Sequence, residues 1–458
     1  MRLTNLNPDR NIGASAWLLE MEGHRLLLDA GTHPKRDGRE SLPLFDDLPP
    51  VEVDAIAVSH CHHDHVGSLP VAMRRFPRAH VLMTELSYFL VERVLHNSVN
   101  VMRRQREELR IPDYPLYTHS EVDEMAPRFQ GFRYDREVEW AAHHKSRTGA
   151  RSPTLEFRDA GHTLGAAGVM VRGGRETFFY TGDVSFRDQT LLRGARFDGV
   201  EAEVLLMETT RGDRAVPPGF TREAEAERLL GCIRAAQRRR GSVLLPTFAL
   251  GRTQEILGLL ALWMREGELR EQPVYIGGLG RVFTEIYDLE SHRANRNHTN
   301  LLLHEALELV VLDRDQCGRL PLGRGKLFVM TAGMLTENTA AHALAVRLMG
   351  EARHAIFFVG YADPDTPGGR LKAAPPGEPF LFSPSAGEQV RHCELDDFDL
   401  TAHANRDDLL EFVGQVNPRV VVLGHGDDEA RAWFAGEIGK RHPRIRVCVP
   451  GPGETVEM

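Results

Sequence analysis

The sequence predicts a layered α/β protein, and two observations support this fold class. Short apolar runs with the character of buried strands alternate along the chain with longer amphipathic stretches of helical length. Such mixtures typically build packed layers of sheet and helix. In addition, the middle of the chain, roughly 209–390, alternates strand and helix regularly, which is typical of a doubly wound domain.

The N-terminal part of the chain is rich in predicted strands. Strands are expected at 16–19, 25–29, 53–59, 80–83, 169–182 and 199–207. Helices are expected at 68–76 and from about 85 to 109. Gly173 and Gly174 predict a turn within 169–182. The strand at 53–59 ends directly before a histidine cluster, so we expect a functional site at the end of this strand.

The middle and C-terminal parts contain further predicted elements. A strand at 242–246 is expected between helices at 221–238 and 253–266. Proline and glycine predict loops at 362–369 and 373–379. A last strand at 420–423 leads into another histidine.

The composition restricts the class of protein. The chain has 458 residues, which suggests two or three domains, and no apolar run approaches the roughly 20 residues of a membrane-spanning helix. Five scattered cysteines form no CxxC pair, and the N-terminus has no apolar signal core. We therefore expect a cytoplasmic protein without a membrane partner. The net charge of −9 argues against coating of nucleic acid by bulk charge, but it does not exclude a nuclease.

The strongest functional signal is the segment 60–65 (HCHHDH), in which five of six residues are His or Asp. A loop that leaves a buried strand can aim alternate side chains at one point, so His60 and His62 can share one metal ion. Asp64 and His65 are then turned toward a second ion. Imidazole and carboxylate ligands suit Zn²⁺ better than Ca²⁺ or Mg²⁺. The alternative, a chance histidine cluster, is disfavoured by its position directly after a strand.

Two ligands for each ion are too few, and two later segments offer more. His162 lies in a glycine-flanked loop, and Asp183 follows an apolar strand, from which its carboxylate could bridge both ions. Either residue alone could equally be an ordinary turn residue. Their order after the histidine cluster favours metal ligation.

At this point the chain resembles the metallo-β-lactamase superfamily. Asp29 in LLLDAG matches its first motif, the 60–65 segment its second, His162 its third and Asp183 its fourth. The resemblance implies an αββα sandwich with the metal ions at one edge of the sheets. It also implies that Asp29 orients a ligand and is not itself a ligand.

Four further segments resemble the β-CASP branch of this superfamily. They are 207–213 (METTRGD), 246–255 (PTFALGRTQE), 401–404 (TAHA) and 424–427 (GHGD). The resemblance covers nearly the whole chain. It implies a metallo-β-lactamase domain at 1–208 and 391–458, with a doubly wound α/β β-CASP domain inserted at 209–390.

The β-CASP resemblance implies two Zn²⁺ ions, with Mn²⁺ as the alternative. The first ion would be held by His60, His62, His162 and Asp183. The second ion would be held by Asp64, His65, Asp183 and His425. A hydroxide activated by both ions would hydrolyse a phosphodiester, so Asp64 is expected to be catalytic as well as metal-binding.

Two residues are expected to act beside the metal ions. His403 would donate a proton to the leaving 3′-oxygen or bind the scissile phosphate. Glu208 would hydrogen-bond to His403, which fixes the ring and keeps it protonated near neutral pH. The alternative is that Glu208 is only a strand-end carboxylate and His403 only the neighbour of a helix cap.

The resemblance implies a nuclease acting on RNA or single-stranded nucleic acid, by endonucleolytic or exonucleolytic cleavage. The chain departs from the family pattern at Arg211, 276–279, 331–335 and 362–369. These departures fall in the inserted domain, so they leave the substrate open and the metal chemistry intact. The alternatives are a DNA-directed nuclease of repair or defence, a small-molecule ester or lactam hydrolase, and a non-catalytic scaffold. A homodimer or a protein partner also remains open.

Overall fold

The computed structural model describes residues 1–141, 152–323 and 325–458. These residues form two units. Unit 1 comprises Met1–Asp188, Gly194–Val216 and His403–Met458. Unit 2 comprises Gln189–Arg193 and Pro217–Ala402. The inserted unit thus runs from 217 to 402, whereas the sequence placed it at 209–390.

The described residues of unit 1 form two sheets of seven strands each. The first sheet contains β1 (Arg2–Asn5), β2 (Trp17–Met21), β3 (His24–Leu28), β4 (Ala55–Ala57), β5 (His80–Thr84), β6 (Phe129–Phe132) and β22 (Thr455–Glu457). The second contains β7 (Val138–Glu139), β8 (Thr154–Asp159), β9 (Ala167–Gly173), β10 (Glu176–Tyr180), β11 (Val204–Glu208), β20 (Val420–Gly424) and β21 (Arg446–Cys448). The strand orders are β22-β1-β2-β3-β4-β5-β6 and β21-β20-β11-β10-β9-β8-β7.

The helices of unit 1 flank these sheets. They are α1 (His63–Val66), α2 (Leu69–Arg75), α3 (Glu85–Glu108), α4 (His119–Met125), α12 (Arg406–Val416) and α13 (Asp428–Arg441), with 3₁₀ turns at Gly38–Ser41 and Ala126–Arg128. Helix α3 begins after Thr84, whose side chain accepts a hydrogen bond from the Ser87 N–H. Helix α12 begins after Asn405, whose side chain caps it in the same way and so fixes the backbone close to His403.

Apolar side chains of both sheets form one shared core. Leu19 and Leu26 of the first sheet belong to the same buried cluster as Phe157 and Val169 of the second. The other face of the second sheet packs against α12 and α13. Helix α3 packs against β5 and β6 of the first sheet. The expected αββα sandwich is therefore confirmed.

Unit 2 is built on a six-stranded sheet. Its strands are β12 (Val243–Thr247), β13 (Val274–Ile276), β14 (Leu309–Val311), β15 (Leu327–Thr331), β16 (Ala355–Phe358) and β19 (Glu394–Asp397), in the order β14-β13-β15-β12-β16-β19. Its helices are α5 (Arg222–Arg238), α6 (Arg252–Arg265), α7 (Gly278–Leu289), α8 (Leu303–Ala306), α9 (Arg314–Arg319), α10 (Ala340–Met349) and α11 (Pro367–Ala373). All strand pairs of this sheet are parallel, as alternation of strand and helix predicts.

Three features of unit 2 differ from the sequence-based expectation. The C-terminal boundary moves to 402 because β19 pairs with β16, with Ala355 opposite Glu394. Part of the expected loop 362–369 is helical, since Pro367 starts α11 and the Thr366 side chain accepts from the Gly369 N–H. Strands β17 (Pro379–Ser383) and β18 (Gly387–Val390) form an additional hairpin that the sequence did not indicate. In the described ranges, no helix combines the length and apolarity needed to cross a bilayer.

Candidate metal centre and active site

Asp29 organises the loop that carries the histidine cluster. It follows β3 with a left-handed backbone (φ +61°). Its carboxylate accepts hydrogen bonds from the Ser59 N–H and hydroxyl, both at 2.7 Å, and from the Tyr180 hydroxyl at 2.8 Å. It also accepts one from Nδ1 of His65 at 2.7 Å. The bond to Nδ1 fixes the tautomer of His65, so that its Nε2 is available as a ligand atom.

The first group of expected ligands comes together after β4, β8 and β10. The ligand atoms of His60, His62, His162 and Asp183 all lie within 4.8 Å of one another. Nε2 of His162 is 3.2 Å from Nδ1 of His62. Oδ2 of Asp183 is 3.6 Å from Nε2 of His60 and 3.8 Å from Nε2 of His162. Four side chains from three loops thus face a common point.

The second group of expected ligands adjoins the first. Nε2 of His425 lies 3.2 Å from Oδ2 of Asp64 and 3.3 Å from Nε2 of His65. Oδ1 of Asp183 lies 3.5 Å from Nε2 of His65 and 3.1 Å from Nδ1 of His425. Asp183 therefore presents one carboxylate oxygen to each group. We call the seven residues the metal centre: His60, His62, Asp64, His65, His162, Asp183 and His425.

The chemistry of these groups fits divalent cations. Nitrogen atoms of two imidazoles face each other at 3.2 Å and again at 3.3 Å, and two lone pairs at such distances need a proton or a cation between them. Among the described residues, buried Nε2 of His60 and Oδ1 of Asp183 have no hydrogen-bond partner. Burial and, next, the neighbouring imidazoles lower the pKa of His60 well below 6.5, which keeps the ring neutral and able to bind a metal.

Glu208 also lies near Asp183 and His425, and the three could in principle hold an ion together. Its oxygens are already engaged, however. Oε1 accepts from the Val184 N–H at 2.7 Å, and Oε2 accepts from Nδ1 of His403 at 3.1 Å. We therefore assign Glu208 to His403 and not to a metal ion.

Partly exposed His403 and buried Glu208 form a pair beside the metal centre. The ring of His403 has its centroid 4.6 Å from that of His162. Burial by itself would lower the pKa of His403, but the charge of Glu208 and its hydrogen bond outweigh burial and raise it above 6.5. Burial opposes ionisation of Glu208, yet the interactions with His403 bring its pKa below 4.5. The pair favours an imidazolium beside a carboxylate.

Comparison with known proteins supports the sequence motifs along the whole chain. Residues 10–228 match the model of the metallo-β-lactamase superfamily, and 253–371 match that of the Beta-Casp domain. Residues 389–450 match the model described as a Zn-dependent metallo-hydrolase RNA specificity domain. A ribonuclease of Thermus thermophilus, TTHA0252, is 31% identical over 467 residues, which cover 100% of both chains.

The chain belongs to the β-CASP family of the metallo-β-lactamase superfamily.

Other β-CASP relatives are longer than this chain. The endoribonuclease YSH1 of Gibberella zeae is 27% identical over 92% of this chain and 53% of its own length. The cleavage and polyadenylation specificity factor subunit 3 of Dictyostelium discoideum is 26% identical over 98% of this chain and 56% of its own. The chain thus spans about half the length of these eukaryotic relatives. A solved structure of a protein of unknown function from Enterococcus faecalis shares the fold, with a TM-score of 0.58, 12% identity and coverage of 100% and 99%.

Three side chains of this β-CASP site were not identified as site residues from the sequence. Ser59 and Tyr180 hold Asp29, and Oγ1 of Thr210 lies 3.1 Å from Nδ1 of His425. Ser59 directly precedes His60, Tyr180 lies three residues before Asp183, and Thr210 lies within the motif 207–213. Proximity to a motif was therefore the only available signal, because hydroxyl groups have no characteristic spacing.

Proposed function

We propose that this chain is a two-metal ribonuclease that hydrolyses phosphodiester bonds. The observation that carries the proposal is the sharing of Asp183 between two ligand groups, next to the His403–Glu208 pair. Two adjacent ligand groups of this kind are typical of hydrolases that act on phosphoryl groups. The full-length match to a protein named a ribonuclease supports RNA as the substrate.

The ions that fit this donor set best are Zn²⁺ and Mn²⁺. The set combines imidazole nitrogens with carboxylate oxygens and contains no thiolate. One ion would be held by His60, His62, His162 and Asp183, and the other by Asp64, His65, Asp183 and His425. When bound, the two ions supply a hydroxide nucleophile at neutral pH and neutralise charge on the phosphate.

The remaining chemistry falls to side chains of the protein. His403 holds a proton because Glu208 stabilises its charged form. From there it protonates the leaving 3′-oxygen or holds a phosphate oxygen, which is the role of a general acid or an anion-binding group. The Val184 N–H keeps the Glu208 carboxylate in place, so His403 is oriented from the end of β11. Asp29 orients His65 in the same indirect way.

A substrate comparison tests this proposal. Protein loaded with Zn²⁺ or Mn²⁺ is incubated with end-labelled single-stranded RNA, with DNA of the same sequence, and with the lactam nitrocefin. We expect the wild type and a control variant of an exposed residue, Asp198→Asn, to cleave RNA, and Asp64→Asn to leave it intact. Intact RNA together with hydrolysis of DNA or nitrocefin by the wild type would overturn the proposal.

A further inference from the structure

Unit 2 contains an open cavity with a strongly cationic lining. The cavity has a volume of about 310 Å³. Its hydrogen-bonding lining residues are Arg193, Arg265, Arg296, His298, Thr299 and Asn300. None of the described residues that line the cavity is acidic. We call it the arginine cavity.

Backbone hydrogen bonds bring these residues together from distant parts of the sequence. Leu192 and Arg296 form an antiparallel bridge. The Arg193 N–H donates to the Asn295 carbonyl at 3.1 Å, and the Asn297 N–H donates to the Leu191 carbonyl at 2.7 Å. His298 has a left-handed backbone (φ +49°). These backbone hydrogen bonds hold the segments 191–193 and 295–297 together in one wall of the cavity.

Arg296 places a buried positive charge in this wall. It is 3% exposed, and its guanidinium donates to backbone carbonyls, among them those of Tyr287 at 3.3 Å and Leu301 at 2.9 Å. Burial is the largest influence on its pKa and lowers it, while Asp288 and Glu255 act in the opposite direction. Carbonyl groups satisfy the N–H donors but do not neutralise the charge.

The two carboxylates that influence Arg296 accept hydrogen bonds from other groups. Asp288 accepts from the backbone N–H groups of Leu303 and His304, both at 2.9 Å. Glu255 accepts from the backbone N–H groups of the segment 190–192, for example Leu191 at 3.0 Å. Both carboxylates are therefore bound to backbone N–H groups, and they act on Arg296 only from beyond ion-pair distance.

The arginines of the cavity also lack direct ion pairs. Arg187 is paired with Asp408 at 2.9 Å and Arg293 with Glu290 at 3.0 Å. In the described part of the chain, by contrast, no carboxylate lies within ion-pair distance of the guanidinium groups lining the cavity. In a chain with a net charge of −9, three such guanidinium groups at one cavity indicate a site for an anion.

We propose that the arginine cavity binds a phosphate group of the RNA backbone and so holds the substrate without taking part in the chemistry. This inference rests on the proposed ribonuclease function. Guanidinium groups match phosphate oxygens in geometry and charge, and hydroxyl and amide side chains commonly complete such contacts. Contacts to phosphate position a nucleic acid without reading its bases, so the site contributes affinity and no sequence preference.

A pair of charge-removing substitutions tests the proposal. The variant carries Arg193→Gln and Arg265→Gln, both at exposed positions, and leaves buried Arg296 in place. The matched control carries Arg238→Gln and Arg319→Gln, which are exposed positions of the same unit outside the cavity. Binding of a fluorescent single-stranded RNA is measured by anisotropy at several salt concentrations, with Asp64→Asn added to every protein to prevent cleavage.

We expect the cavity variant to bind RNA about tenfold more weakly, because ionic contacts to phosphate dominate such affinity. The slope of log Kd against log salt should fall by about one, whereas the control pair should bind as the parent does. Turnover of bis(p-nitrophenyl) phosphate, measured with Asp64 restored, should be the same in all proteins because this small diester needs only the metal centre. An unchanged Kd and salt slope in the cavity variant would overturn the proposal.

Two further results would distinguish an error in the proposed ribonuclease function from an error in the assignment of the cavity. If the wild type cleaves neither RNA nor bis(p-nitrophenyl) phosphate, the proposed function fails, whatever the cavity does. If calorimetry shows that the cavity variant loses binding of inorganic phosphate but binds RNA normally, the site serves a small phosphate anion. That result would overturn the assignment to RNA and leave the ribonuclease function intact.

Discussion

The metal centre and the arginine cavity differ in how they hold charge. The metal centre uses short side chains, most of them buried, and Asp29 sets the orientation of His65 among them. The arginine cavity uses long guanidinium side chains, of which Arg193 and Arg265 are exposed and only Arg296 is buried. Metal binding and catalysis require fixed distances between the ligand atoms. Binding of a flexible polyanion requires positive charge and tolerates movement of the side chains.

This comparison predicts that substitutions in the two regions impair different properties of the protein. Changes in the metal centre should remove metal ions or turnover, and changes in the cavity should weaken RNA binding only.

Asp183→Asn should eliminate detectable cleavage of both RNA and bis(p-nitrophenyl) phosphate. Its carboxylate faces both ligand groups, so the amide weakens both sites at once. Cleavage assays together with metal analysis by mass spectrometry check this. The control Asp198→Asn should retain both activity and metal; normal turnover by Asp183→Asn would show that the bridging role is wrong.

His403→Gln should lower kcat for RNA by roughly 10²–10⁴-fold while leaving the metal content unchanged, because the proton donor is lost and no ligand is removed. Single-turnover cleavage and metal analysis measure the two quantities separately. A normal kcat would exclude the role of His403 as a general acid. Loss of metal in this variant would instead show that the residue supports the ligands.

Asp29→Asn should weaken metal affinity by about 10-fold to 100-fold, since the amide can no longer accept four hydrogen bonds or fix the tautomer of His65. Competition with a chelator gives the affinity. Activity should return when excess metal is added. An unchanged affinity would mean that the orientation of His65 does not depend on Asp29.

Glu255→Gln should destabilise unit 2 by about 2 kcal/mol or more without changing the metal content. The buried carboxylate accepts three backbone N–H groups of the segment 190–192, and Arg222 lies 3.9 Å from it. Denaturant unfolding measures the change. An equal loss of metal would show that the metal centre depends on this segment, and no loss of stability would contradict the structural role.

The difference between the two regions also explains which site residues and which features of the fold could be predicted from the sequence. His60, His62, Asp64 and His65 were recognisable because metal ligation requires particular residue types at short, fixed spacing. His162 and Asp183 could be interpreted as metal ligands only because they follow that cluster in the expected order. The fold class followed from periodicity in the same local way, as the agreement of 253–266 with Arg252–Arg265 illustrates.

The arginine cavity, by contrast, has no local signature. Arg193, Arg265 and Arg296 are ordinary surface residue types at wide spacing, and backbone pairing between 191–193 and 295–297 brings two of them together. The C-terminal boundary of unit 2 lies at 402 and not at 390 for a similar reason. Strand β19 is identified by its pairing with β16 and not by its own composition. Both the cavity and the boundary of unit 2 depend on pairing between residues that are distant in the sequence.

The metal content of the purified wild-type chain tests the central claim most directly. The chain is loaded with Zn²⁺ or Mn²⁺, desalted and analysed by mass spectrometry. Two adjoining ligand groups that share Asp183 predict about two ions per chain. A chain that retains no stoichiometric metal, yet is folded by circular dichroism, would contradict the account.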